Sequence, residues 1–208
     1  MQSRTVLGKV ATAAFILMFS ALVHAQSAWD FPDFSATQVL ESRKADMSLK
    51  VYRSGTSVRI DRSPALSTLY IPAEKEVYNL TTYPDRSHQC VAMKPEQAKM
   101  LPSPLELLEG PELKRTDAGT ETVEGHPCRI EDVTVTRLDG KKIESRVWRA
   151  QDLQGVPVKI ESHVGEFTLT AVYRDIKLGS PDPGLVTIPE KCTPFEKMGQ
   201  VVEQKIIK

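Results

Sequence analysis

Two short motifs carry the sharpest hint of chemistry in the chain: His88-Gln89-Cys90 and His126-Pro127-Cys128. On extended backbone, residues two apart share a face. Two such segments brought together would converge His88, Cys90, His126 and Cys128 into a Cys2His2 tetrahedron, a donor set that suits zinc. The competing chemistry is oxidation, which turns the same cysteines into a disulfide with two solvated histidines nearby. The spacings match no common zinc module, so oxidation is the expected outcome and no metal is assigned.

Nucleophilic catalysis has less to build on. Ser162 and His163 are adjacent in a strand-like run, so their side chains point to opposite faces and cannot share a base–nucleophile hydrogen bond. No Gly-x-Ser-x-Gly elbow and no His-Glu-x-x-His helix occurs. The acidic groups Glu131-Asp132 and Glu121/Glu124 read as polar faces or turn residues, and Gly119 and Gly125 read as turns. The expectation is a non-catalytic protein with no cofactor.

The start of the chain says where it goes. Arg4 and Lys9 precede an apolar run from Val10 to Val23, followed by Val23-His24-Ala25, the three-part pattern of a secretory signal peptide cut ahead of Gln26. The run is about 14 residues, short of the roughly 20 that span a bilayer. Residues 1–25 are therefore expected to be a cleaved leader and residues 26–208 a single periplasmic domain with no membrane span. With 27 basic and 27 acidic residues in the whole chain, the charge balance argues against a nucleic-acid partner, which needs a basic face. Three cysteines in an oxidising compartment allow one disulfide and one spare thiol. Cys90–Cys128 is the expected pair and Cys128–Cys192 the alternative, because spacing along the chain does not choose between them.

These residues must be positioned by strands. Val156, Val158, Ile160, Ser162 and Val164 alternate with Pro157, Lys159, Glu161 and His163, a period-two pattern with one buried and one wet face. Gly165-Glu166 turns the chain into Phe167, Leu169, Ala171 and Tyr173, which predicts an antiparallel hairpin. Cys128–Arg137 and Ile143–Ala150 flank a turn around Asp139-Gly140. In the first half, strands are predicted over Phe34–Ser42, around Met47 to Val51, around Val58 and Ile60, and over Leu66–Ile71 and Val77–Thr82. Trp29 and Phe31 anchor a loosely docked arm. Arg43, Lys44, Lys50, Arg53, Arg59 and Arg62 form a solvated cationic face.

One stretch breaks the pattern. Pro95 to Leu101 opens like a helix, Pro102 and Pro104 interrupt it, and Leu105, Leu107 and Leu108 resume it before Gly110-Pro111. The fold class read from these elements is mainly β (α+β): a curved antiparallel sheet forming an incomplete β-barrel, with a short broken helix near residues 95–109 on its concave face. Met100, Leu105, Leu107, Leu108 and Trp148 are the candidate lining of an apolar groove.

Three landmark segments carry a family resemblance: Thr122-Val123-Glu124-Gly125-His126-Pro127-Cys128, Trp148-Arg149-Ala150-Gln151-Asp152-Leu153 and Val156-Pro157-Val158-Lys159-Ile160. Their succession resembles exported bacterial proteins of unassigned function allied in fold to the periplasmic lipoprotein-localisation carriers (LolA/LolB-like). The resemblance implies a half-barrel around helical elements, with an apolar concavity that shelters acyl chains. It transfers no functional residue, since the landmarks are turn and packing positions. The expected function is non-catalytic binding of an apolar ligand such as an acyl chain, lipid or lipoprotein anchor. The main alternative is a stress-related or other envelope module that binds a protein partner without lipid, and a cryptic hydrolase comes third.

Overall fold

The structure, a computed structural model, describes residues 30–41, 46–71, 74, 76–94, 97, 104–108, 112–137 and 140–198. The expected leader therefore lies outside the described residues, as do Met100 and most of the stretch expected to open the broken helix.

Among the described residues, twelve strands form one sheet. The first half is a meander of β1 (Phe34–Glu41), β2 (Met47–Ser54), β3 (Ser57–Ser63), β4 (Leu66–Ile71), β5 (Glu76–Thr82) and β6 (His88–Met93). The second is a meander of β7 (Glu112–Val123), β8 (His126–Thr136), β9 (Lys142–Ala150), β10 (Pro157–Val164) and β11 (Phe167–Leu178). A two-residue strand, β12 (Thr193–Pro194), follows. The order across the sheet is β12-β6-β5-β4-β3-β2-β1-β11-β10-β9-β8-β7. β1 joins the halves, pairing antiparallel with β2 on one side and β11 on the other. The sheet is open, with β7 and β12 at its two ends, as an incomplete barrel requires.

Turn chemistry places these hairpins. Glu124 and Gly125, both at positive φ (51° and 85°), link β7 to β8 in the doubly left-handed pattern that matches strand twist. Gly119 is not a turn. It lies inside β7 at φ 104°, where the register with β8 slips between Asp117 and Gly119, so it makes a bulge. The long β7 was hidden from sequence reading because Thr, Glu and Gly dominate it.

Alternation holds in the middle of β10, where Ile160 and Ser162 are buried and His163 is exposed. Outside it Val164 is exposed, Pro157 is buried, and Val158, beside a register shift between Pro157 and Lys159, packs with Trp148. Phe167 departs from its expected inward position. It stands 79% exposed at the β10–β11 tip, where the hairpin runs beyond the cover of the core.

The inner face carries the main core, which includes Phe34, Val51, Val58, Ile60, Val133, Val147, Ile160 and Tyr173. Leu105 and Leu108 belong to the same cluster. In place of a resumed helix, the described residues here hold a three-residue 3-10 turn, Glu106–Leu108. Each methylene removed from water contributes about 0.8 kcal/mol, so the burial of these leucines ties the turn to the sheet.

Residues 30–33, the described part of the arm before β1, are firmly docked rather than loose, and Trp29 lies outside the described residues. Phe31 is buried, and the Arg53 guanidinium of β2 and the Arg149 guanidinium of β9 lie 4.4 and 5.6 Å from its ring centroid. Three strands separate β2 from β9, a span of roughly 19 Å in a flat sheet. Curling brings the two cations over one ring. Asp30 completes the clamp with ion pairs to Arg115 and Arg149. Asp33 accepts hydrogen bonds from Ser54, Ser180 and the Gly55 amide.

Candidate functional site

The inner face of the curled sheet is the candidate site. Leu105, Leu107 and Leu108 are 0–2% exposed, and Leu105 and Leu108 belong to the main core. The hollow expected there is taken up at this point by the chain's own leucines. Trp148 does not join them. It neighbours the inward Val147 on β9 and so faces the other way, into a small cluster with Cys128, Ala150 and Val158. Its Nε1 donates to Glu121 Oε2 at 2.7 Å, and Lys159 Nζ lies 4.5 Å from its ring centroid. That is the environment of a packed aromatic with its polar edge satisfied.

Neither expected cysteine pairing forms. The disulfide joins Cys90 to Cys192, with Cα atoms 4.5 Å apart, and Cys128 is a free, buried thiol. The reason is topological. β12 lies parallel to β6 with Thr193 opposite Val91, which sets Cys192 beside Cys90, while Cys128 on β8 is far along the sheet order. The bond pins the C-terminal segment on the outer face, where Val186 and Ile188 pack on Leu69, Tyr78 and Cys90.

The Cys2His2 arrangement falls with the same finding, since the Cys90 sulfur is committed to Cys192. Among the described residues no three His, Cys, Asp or Glu side chains cluster as metal ligands. His126 pairs through Nδ1 with Asp152 Oδ2 at 2.8 Å, and His88 Nδ1 with Thr82 Oγ1 at 3.1 Å. Burial pushes the Cys128 thiol up, and the nearby Asp152 and Glu121 charges push the same way, against a hydrogen bond at Val123. A thiol held protonated is a poor nucleophile. Ser162 is equally unsuited: it is fully buried, and its hydroxyl is 2.7 Å from that of Ser145.

The cationic set also divides. Arg43 and Lys44 lie outside the described residues. Arg53 is buried and donates to the Phe31 and Pro32 carbonyls. Arg59 bonds Asp61, the Ser67 hydroxyl and the Leu185 carbonyl, tying the sheet to the C-terminal segment. A polar recess of about 520 Å³ contains Lys50, Arg59, Asp61 and Arg62.

One inner-face residue was overlooked in the sequence. Gln38 is fully buried, and among the described residues neither its Oε1 nor its Nε2 has a hydrogen-bond partner. The signal was available: in Phe34-x-Ala36-x-Gln38-x-Leu40, period two puts Gln38 on the apolar side.

No family model and no curated protein matches the chain. Among solved structures, the chain is similar to MucB in complex with MucA (TM-score 0.43, 14% identity), over 78% of this chain and 56% of that one. It thus spans little more than half of MucB's length. It is also similar to the Mycobacterium tuberculosis lipoprotein LppX (TM-score 0.41, 13% identity, 76% and 91% covered). A third similar structure is a LolA superfamily protein from Nitrosomonas europaea (TM-score 0.31, 8% identity, 76% and 90% covered). Among the described residues, no helix is long and apolar enough to cross a membrane.

Proposed function

We propose that this protein is a non-catalytic periplasmic binder of an apolar chain, such as a lipid acyl group or lipoprotein anchor, exported by the leader at residues 1–25. The ligand lies along the inner face of the curled sheet in the place held here by Leu105 and Leu108. One observation carries the reading: strands from both halves turn apolar side chains to one face, and its described cover includes a mere 3-10 turn. Such a turn has little hydrogen bonding of its own, so an acyl chain of similar apolar area can replace it.

The test is direct. Protein purified from the periplasm is extracted with organic solvent, and the extract is examined by mass spectrometry. Emptied protein is then titrated with a fluorescent fatty-acid probe. Copurified acyl lipid and saturable, displaceable probe binding are expected; lipid-free protein that leaves the probe unbound would falsify the proposal.

A second reading has its own observation. β7 runs for 12 residues at the end of the sheet order and is largely exposed. An extended segment of an envelope protein could add to that edge as a further strand. Proline substitutions at alternate β7 positions would then abolish partner capture while leaving acyl-probe binding intact.

A further inference from the structure

We infer that Gln38 is the polar anchor of the inner face and pairs with the carbonyl group at the head of a bound acyl chain. This rests on the apolar-ligand reading and adds the ligand's chemistry to it. Gln38 sits on β1 between Ala36 and Leu40 of the same face, with Leu49 of β2 and Tyr173 of β11 directly across. All four of these neighbours are part of, or packed against, the main apolar core. The amide is wholly buried there, and among the described residues nothing pairs with its acceptor or its donor.

Some other buried polar groups of the interior do find partners. The buried hydroxyls of Ser145 and Ser162 face each other at 2.7 Å, and buried Arg53 donates to two backbone carbonyls. An unpaired buried polar group is costly, and native structures retain few of them without a reason. Leucine or methionine at position 38 would fill the space without that cost.

The two orphan atoms define what fits. Nε2 seeks an acceptor and Oε1 a donor. An acyl carbonyl supplies the acceptor in any acyl ligand, whether the chain comes from an O-acyl lipid or an N-acylated protein. An N-acyl amide also supplies an N–H for Oε1. An alkyl chain of the same length without a carbonyl supplies neither.

The test uses three ligands of matched length on the whole protein: N-methyldodecanamide, methyl dodecanoate and dodecyl methyl ether. Each competes against a bound fluorescent fatty-acid probe. Wild-type protein is expected to favour the carbonyl ligands over the ether on the order of tenfold, the value of one net hydrogen bond in a dry site. An amide that leads identifies an N-acylated source, and an ester that leads identifies an O-acyl lipid. In Gln38→Leu and Gln38→Met the preference collapses towards one, while ether affinity holds or rises. Both variants, checked for folding by circular dichroism, melt at or above the wild-type temperature.

Equal affinity for all three ligands in wild-type protein overturns the role of Gln38 while leaving the apolar-binding reading intact. So does a carbonyl preference that survives in both variants. A lower melting temperature in both variants shows that the amide already has a structural partner, such as a buried water, and also overturns it. Failure of all three ligands to displace the probe overturns the apolar-binding reading and this inference together.

Discussion

The Arg53 guanidinium lies 4.4 Å from the Phe31 ring centroid while its Nη1 donates to the Phe31 carbonyl at 2.6 Å and the Pro32 carbonyl at 2.8 Å. One side chain from β2 thus satisfies two acceptors of the arm and stacks on its apolar anchor. Arg53→Met keeps most of the apolar stem and removes both donors. An acceptor left buried and unpaired costs about 1–3 kcal/mol, so urea unfolding is expected to show a loss near 3 kcal/mol. A loss below about 1 kcal/mol would mean that the arm adds little to stability.

The arm also makes stability depend on acid. Burial works to raise the Asp33 carboxyl, but hydrogen bonds from Ser180, the Gly55 amide and Ser54, with the Arg53 charge, hold it below the ordinary 3.8. Asp30 behaves likewise: burial raises it, while Arg115 and Arg149 prevail and lower it. A carboxyl depressed in the folded state adds stability that is present above its unfolded value and vanishes as pH falls through the folded one. The melting temperature is therefore expected to fall as pH drops below 3.8. Asp30→Asn with Asp33→Asn should be less stable near neutrality and show a flatter acid slope. An unchanged slope in that double variant would reject the assignment.

The Cys90–Cys192 bond closes a loop with a sequence separation of 102. Restricting a loop of about 100 residues in the unfolded chain stabilises the fold by roughly 4–5 kcal/mol in the entropy model. Reduction, or Cys90→Ser with Cys192→Ser, is expected to lower stability by several kcal/mol on that account. It should also expose the C-terminal segment to proteases before the sheet itself unfolds. Equal proteolysis of oxidised and reduced protein would show that apolar packing alone holds the segment.

Cys128 should be chemically silent in the native protein. Its thiol is buried and held protonated by that burial, with Asp152 and Glu121 adding to the effect. Ellman's reagent at pH 8 is expected to leave it untouched until urea unfolds the chain, whereupon the single thiol reacts. Rapid native labelling would mean that β8 opens locally far more often than its burial suggests.

If the Leu105–Leu108 turn occupies the ligand's place, weakening it should favour the ligand. Leu108→Ala is expected to cost about 2–5 kcal/mol of stability, as buried leucine truncations do. In the same variant, affinity for an acyl probe should rise several-fold. Unchanged or weaker probe binding in a folded Leu108→Ala protein would place the ligand elsewhere.

Period-two patterning is local, and it was legible. The alternation of Ile160, Ser162 and His163, the turn at Gly165, and the buried leucines at 105, 107 and 108 all follow from neighbours within a few residues. The curved open sheet followed from too many strands and too little helix to cover them. Local pattern failed at β7, where Thr, Glu and a bulged Gly119 hide a 12-residue strand that only its pairing with β8 makes regular. For Trp148 a one-residue step from Val147 changes the face, and it packs as a core aromatic in the cluster with Cys128.

The remaining features depend on which strands become neighbours, and chain spacing does not encode that. Cys192 meets Cys90 because β12 docks on β6; Arg53 meets Arg149 over Phe31 because the sheet curls. Gln38 lies among apolar neighbours because pairing sets Leu49 of β2 and the ring of Tyr173 of β11 across from it. A residue's type and its alternation fix which way it points. What it meets there is set by pairings between segments distant in the chain, each stabilised by the burial of the whole sheet rather than by the residues that happen to touch.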